Sequence, residues 1–156
     1  MALLEKDLVV KKSSIPASGK GLFTKVFIPK GTLIVEYKGR RTTWKEVDHD
    51  EGRNGYIYYV NRNHVIDAFP YKKALGRYAN DAKGLERIKG INNNCIYVYK
   101  KDKDAVFIES TKDIPPKSEI LVDYGKEYWD VIRHNAKLSA QESKEKTSRR
   151  KKSRKN

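Results

Sequence analysis

Glu119-Ile120-Leu121-Val122-Asp123-Tyr124-Gly125 reads as a short apolar strand that carries a tyrosine hydroxyl onto the glycine turn ending it. A brief aliphatic run bounded by turn residues is the pattern of a buried strand. Just upstream, Pro115-Pro116-Lys117-Ser118 turns the chain into this strand, because proline presets φ. Working outward, residues 95–100 and 105–110 form a hairpin around Lys101-Asp102-Lys103-Asp104. A second hairpin joins residues 56–60 to 65–68 around Asn61-Arg62-Asn63-His64, since asparagine tolerates left-handed turn geometry. Residues 8–10, 21–23 and 32–37 read as further strands, the last two separated by the turn signal Ile28-Pro29-Lys30-Gly31. Thr43 with Glu46 three residues later is a capping-box pattern, opening a helix that Gly52 and Gly55 keep short. Only residues 127 to about 141 have the spacing of a longer helix, and no internal repeat is evident. The fold class expected is mostly β, with several short-stranded sheets and few short helices.

With 156 residues, the chain has room for one core of ordinary size. Hydrophobic residues make up 38% and charged residues 35%, the balance of a water-soluble domain with a modest core and a crowded surface. No apolar run approaches the roughly 18 residues of a membrane span, and Met1-Ala2-Leu3-Leu4-Glu5-Lys6-Asp7 lacks a signal-peptide core. The expected location is inside the cell, in cytoplasm or in nucleus or nucleoid. Cys95 is the single cysteine, which excludes an internal disulfide and a cysteine-based zinc cluster within one chain.

The net charge of +14 is uneven, because residues 135–156 hold nine Lys/Arg against two Glu, a contribution of +7. The closing run Arg149-Arg150-Lys151-Lys152-Ser153-Arg154-Lys155 has nothing apolar to bury. Ordering such a backbone costs about 1 to 2 kcal/mol per residue with no offset, so the reading is a domain over residues 1–134 and a largely disordered basic tail over 135–156. That tail suits phosphate contacts or a nuclear address, and equally a solubilising role.

Five separated segments fall in a telling order: Ser18-Gly19-Lys20-Gly21-Leu22-Phe23, Val35-Glu36-Tyr37-Lys38-Gly39, Arg77-Tyr78-Ala79-Asn80-Asp81, Asn93-Asn94-Cys95, and Glu119 to Tyr124. Together they resemble the SET-domain protein lysine methyltransferases, in a compact form without flanking zinc-binding cysteines. The resemblance runs from about Leu8 to Trp129. It implies a SET-type fold in which these segments assemble around S-adenosylmethionine and a lysine channel, with no metal. It places Gly19, Lys20, Gly21, Leu22, Asn80, Asp81, Tyr124 and Trp129 at the cofactor, and Tyr124 and Tyr37 at the reacting amine.

The residue types suit those roles. Glycines flanking Lys20 let backbone groups approach a ligand closely, although an ordinary turn into a buried strand would look the same. Asn80 can donate and accept at once, which fits a zwitterionic amino-acid moiety. A lysine ammonium, with a pKa of about 10.4, has no lone pair and must lose its proton before it can attack. A hydroxyl such as that of Tyr124 would then orient the neutral amine. Tyr56, Tyr58, Tyr59, Tyr97 and Tyr99 read instead as core or cross-strand partners. Trp129 either stacks over an adenine or simply packs.

The sequence also departs from the family. Asp81 stands where a histidine is usual, and the link from Asp81 to the next asparagine is lengthened by Ala82 to Asn92. The expected function is a protein-lysine N-methyltransferase that moves a methyl group from S-adenosylmethionine to a basic protein such as a histone or histone-like protein. The alternative is a SET-like module that binds chromatin or nucleic acid without catalysis. A third reading, an RNA binder using its tyrosines, lacks a recognised motif. Target lysine, degree of methylation and oligomeric state leave no mark in the sequence, and a dimer stays open.

Overall fold

Ten short strands carry the fold of the computed structural model, which describes residues 3–16, 18–49, 54–83 and 89–125. They are β1 (Leu8–Lys12), β2 (Lys20–Thr24), β3 (Leu33–Glu36), β4 (Arg40–Thr42), β5 (Ile57–Asn61), β6 (His64–Asp67), β7 (Cys95–Lys100), β8 (Ala105–Ser110), β9 (Glu119–Ile120) and β10 (Val122–Asp123). They group into three sheets, ordered β1-β2-β9, β10-β7-β8-β3 and β4-β6-β5. All pairings are antiparallel except that of β10 with β7. The expected helix over residues 127–141, the aromatic Trp129 and the basic tail lie outside the described residues.

Both expected hairpins form. The β7–β8 hairpin keeps the bounds read from sequence, and its four-residue turn is closed by Lys103 N–H and Asp104 N–H donating to the carbonyls of Lys100 and Lys101. Asp104 takes the left-handed conformation there, at φ 49°. The β5–β6 turn is tighter than expected: Asn61 pairs with His64, and only Arg62 and Asn63 link them. Asn63 N–H donates to Asn61 Oδ1 at 2.9 Å, which holds the turn. The capping box at Thr43 is half made. Glu46 N–H donates to Thr43 Oγ1 at 3.2 Å and Val47 N–H to Thr43 O at 2.9 Å, but among the described residues no helix follows, and Trp44 N–H donates to Arg62 O at 3.0 Å.

The main core gathers Leu22, Ile28, Ile34, Ile108, Ile114, Ile120 and Val122, all within 1% of full burial. Each contributes about 1.5 to 3 kcal/mol by leaving water. Strand β8 is buried along nearly its whole length because β7 and β3 flank it. A smaller cluster of Tyr37, Ile66, Ala68 and Val106 joins the β4-β6-β5 sheet to this body.

The 119–124 stretch crosses between two sheets. Its first half, β9, pairs with β2, and its second half, β10, pairs with β7. At the crossing, Leu121 O accepts from Asn94 N–H at 2.9 Å and Cys95 N–H at 3.0 Å, while Val122 N–H donates to Asn80 O at 2.8 Å. The Asn94 side chain mimics a strand partner: its Oδ1 accepts from Leu121 N–H and its Nδ2 donates to Glu119 O, both at 2.9 Å. Residues 80, 94 and 119–124 are thereby locked into one crossing. Among the described residues, no helix is long and apolar enough to cross a membrane.

Candidate active site

The crossing places Tyr124 at the rim of a cavity of about 540 Å³. Strand β10 ends there because Gly125 adopts φ 91° and its N–H donates to Asp123 Oδ1 at 2.8 Å. That bond, ahead of Lys83 at 3.2 Å, holds the Asp123 carboxyl below the usual carboxylate range. Tyr124 is fixed at both ends. Its hydroxyl donates to Ala79 O, and its own N–H donates to Asp81 Oδ2 at 2.9 Å.

Gly19, Lys20, Tyr37, Asn80 and Tyr124 all line this cavity, although they come from four separated segments. Tyr37, at the end of β3, donates its hydroxyl to Tyr56 O at 2.7 Å. Asn80 is the most constrained. Its Nδ2 donates to Lys20 O at 3.0 Å and, at a longer 3.4 Å, to Glu119 Oε2.

Three other residues expected at the site, Leu22, Gly21 and Asp81, sit differently. Leu22 is fully buried in the main core. Gly21 is also buried, and a Cβ there would overlap Glu119 Oε2, so its missing side chain makes room for a carboxylate of the protein itself. Gly19 has a different reason to be glycine: φ 63°, with nothing within 4 Å of a Cβ. Asp81 is 3% exposed and lies off the cavity lining. Its Oδ1 accepts from Lys83 N–H and Asn93 Nδ2, both at 2.8 Å, while Oδ2 takes Tyr124 N–H. The residue that departs from the family is thus an anchor for the tyrosine. Trp129 lies outside the described residues.

Sequence reasoning missed several groups. Tyr58 and Tyr97, read as packing residues, pack and line the cavity at once. Their ring centroids are 5.2 Å apart; Tyr97 meets Tyr37 edge-on at 5.5 Å and stacks on Tyr124 at 6.2 Å. Burial pushes the Tyr58 phenol pKa up, so it stays protonated at neutral pH. Tyr59 and Tyr99 are exposed and lie elsewhere. Arg77 also lines the cavity, with its guanidinium 4.1 Å from the Tyr56 ring centroid and Nη1 donating to the carbonyls of Ala68 and Phe69. Alternation along β5 and β7 could have marked the tyrosines, but nothing local marks the face that meets a cavity. Among the described lining residues the charged side chains are Lys20 and Arg77, both cationic.

The architecture and this site define a class, and comparison with known proteins agrees. The SET domain model matches residues 19–125, so the chain belongs to the SET domain family. It is 28% identical over 120 residues to histone-lysine N-methyltransferase set-17 of Caenorhabditis elegans, covering 76% of this chain and 41% of that protein. It is 25% identical over 133 residues to N-lysine methyltransferase KMT5A of Xenopus tropicalis, covering 77% and 37%. The chain therefore spans about two fifths of the length of these curated relatives. The methyltransferase domain of human PR domain-containing protein 2 superposes with a TM-score of 0.57 at 25% identity, over 78% of this chain and 79% of that one.

Proposed function

We propose that this chain is a protein-lysine N-methyltransferase that uses S-adenosylmethionine and acts on a basic protein of the histone or histone-like class. The observation that carries this reading is one cavity with a polar wall of Gly19, Lys20 and Asn80 and an aromatic wall of Tyr37, Tyr58, Tyr97 and Tyr124. Its volume lies in the roughly 300 to 1,000 Å³ range that holds small ligands. The polar wall suits an amino-acid moiety: Lys20 supplies a cation for a carboxylate, and Asn80 supplies polar side-chain atoms. When bound, S-adenosylmethionine supplies an electrophilic methyl on a sulfonium.

The residues of the chain handle the amine. The phenol wall strips water from an entering lysine, and no described lining residue offers a carboxylate to hold its charge. Both effects favour the neutral amine, and a fall of about two pKa units corresponds to roughly 2.7 kcal/mol. Tyr124 donates its hydroxyl hydrogen to Ala79 O, so toward an amine its oxygen acts as an acceptor and orients it. Holding the nitrogen in one orientation supplies much of the rate. Asp81 supports this by fixing the Tyr124 backbone, which favours the catalytic reading over a binding module that has lost activity. The same proposal takes residues 1–134 as the catalytic unit and 135–156 as a basic arm toward nucleic acid.

Incubation with labelled S-adenosylmethionine and a panel of basic proteins tests it. Label should transfer with wild type and be lost with Asn80→Ala or Tyr124→Phe while circular dichroism shows both folded. Cofactor binding undetectable by calorimetry at millimolar concentration would overturn it. Deleting residues 148–156 should flatten the salt dependence of DNA binding and leave turnover on a short peptide unchanged.

A further inference from the structure

Strand β1, outermost in its sheet, runs into Lys11-Lys12-Ser13-Ser14, two exposed lysines followed by two hydroxyls. The hydroxyls differ in access, because Ser13 is buried and Ser14 is exposed. Both bind the same carboxylate. Glu119 Oε1 accepts from Ser14 N–H at 2.9 Å and Ser14 Oγ at 2.5 Å, and Oε2 accepts from Ser13 Oγ at 2.7 Å. Glu119 is 7% exposed and, among the described residues, forms no salt bridge with Lys or Arg. Its described donors are all neutral.

This contact is a latch on the polar wall of the cavity. Ser13 N–H donates to Gly19 O at 2.8 Å, closing the connection from β1 to β2, and Ser18, Gly19 and Lys20 at its far end line the cavity. A Cβ on Gly21 would overlap Glu119 Oε2 and lie 3.2 Å from Ser13 Cβ, so the same groups bear on the start of β2. Moving the serines off Glu119 therefore moves the wall. A phosphoryl group on Ser14 would do so. It carries about −1.5 to −2 charge at pH 7 and lacks the hydrogen that made the contact. It would stand beside Oε1, where partial burial leaves the repulsion poorly screened by salt.

We propose that Ser14 is a phosphorylation site for a kinase that reads basic residues two and three positions before its acceptor, and that phosphorylation opens the latch and weakens cofactor binding. Lys12 and Lys11 stand at those positions, and kinases select acceptors by flanking charge. As the outer strand, β1 leaves one edge uncovered by its own sheet, which gives the kinase access to the segment. In the transfer, Ser14 Oγ bonds to the γ-phosphorus of a nucleoside triphosphate as the bond to the bridging oxygen breaks. The nucleoside diphosphate leaves, and the hydroxyl proton passes to the base of the kinase. For its ligand the inference rests on the methyltransferase reading.

The test treats the full chain with a basophilic protein kinase and Mg-ATP. Arg40-Arg41 before Thr43 and Arg149 to Lys152 before Ser153 are further basic runs ahead of a hydroxyl, so phosphate is localised by mass spectrometry. It should appear at Ser14 and drop when Lys11→Ala and Lys12→Ala are combined. Calorimetry with S-adenosylhomocysteine should then show affinity falling about tenfold or more in the phosphorylated wild type, and less than about threefold in kinase-treated Ser14→Ala, which carries any phosphate added elsewhere. By NMR, exchange of Ser13 N–H should quicken on phosphorylation, a readout that needs no cofactor. Absence of phosphate at Ser14, unchanged affinity, an equal loss in treated Ser14→Ala, or collapse of the whole fold by circular dichroism overturns the proposal. Failure of the unmodified chain to bind S-adenosylhomocysteine overturns the methyltransferase reading instead, and the Ser13 exchange then decides on the latch, with unchanged exchange removing it.

Discussion

The two walls of the cavity are built by opposite means. The polar wall rests on a web behind it in which Glu119, Asp81, Asn80 and Asn94 hydrogen-bond backbone and side chains far away in sequence, as when Ser13 reaches Glu119 across 106 positions. The aromatic wall is made by strand alternation, with rings from β5, β7 and the end of β3 meeting edge-on or tilted at 5.2 to 6.2 Å. A ring contact is worth about 0.5 to 1.5 kcal/mol and adapts to its neighbours. A buried donor left without its acceptor costs about 1 to 3 kcal/mol and has no second choice. The polar wall should therefore break in stability, and the aromatic wall in turnover.

Tyr124→Phe gives the largest effect. It keeps the ring on Tyr97 but removes the hydroxyl, so activity should fall about a hundredfold or more while stability changes by about 1 kcal/mol. Steady-state kinetics beside urea unfolding would show the split; a stability loss matching that of the polar-wall variants would erase the contrast. Asp81→Ala comes next. Tyr124 N–H, Lys83 N–H and Asn93 Nδ2 lose their acceptor together, for about 3 kcal/mol by denaturant unfolding.

The glycines refine the comparison. Gly21→Ala must displace the Glu119 carboxylate and should cost about 1 to 3 kcal/mol and weaken cofactor binding. Gly19→Ala meets no atom and should cost about 1 to 2 kcal/mol from its left-handed backbone alone. If calorimetry gives both variants the same affinity, Glu119 is not what Gly21 makes room for.

The last effect is a pH dependence away from the site. Burial pushes the Cys95 thiol up to about 12, so the folded chain keeps a proton that the unfolded chain loses near 8.5. The stability this thiol contributes is fully present below about 8.5. It falls as pH rises toward 12. At pH 8 a disulfide reagent should modify Cys95 only as fast as the chain opens, and rapid modification of the native protein would contradict its burial.

Much of the fold was legible. The β7–β8 hairpin carries its own instructions, alternating aromatic and branched residues around a polar turn, and it forms with the expected bounds. The turn ending at Gly125 was equally local. The capping box at Thr43 closes a single turn with no helix after it among the described residues, and Trp44 N–H reaches Arg62 O on a hairpin the local pattern does not contain. Glu119 illustrates the same limit at the site. It looked like the polar head of a strand, and its meaning depends on Ser13, Gly21 and Asn80, none of them near in sequence.

By itself the sequence determined most of the strands, though neither β4 nor the break of 119–124 into β9 and β10, together with the single cysteine, the uneven charge and the motif order that resembles the family, because each depends on neighbours or on composition. Tertiary structure alone decided which tyrosines face the cavity, that Asp81 anchors Tyr124 instead of lining the cavity, and that Asn80 turns its amide nitrogen toward Lys20 O. Those outcomes arise where the 119–124 strand passes between two sheets. A hydrogen bond is specified by both partners, and here the partners meet only after the chain has folded.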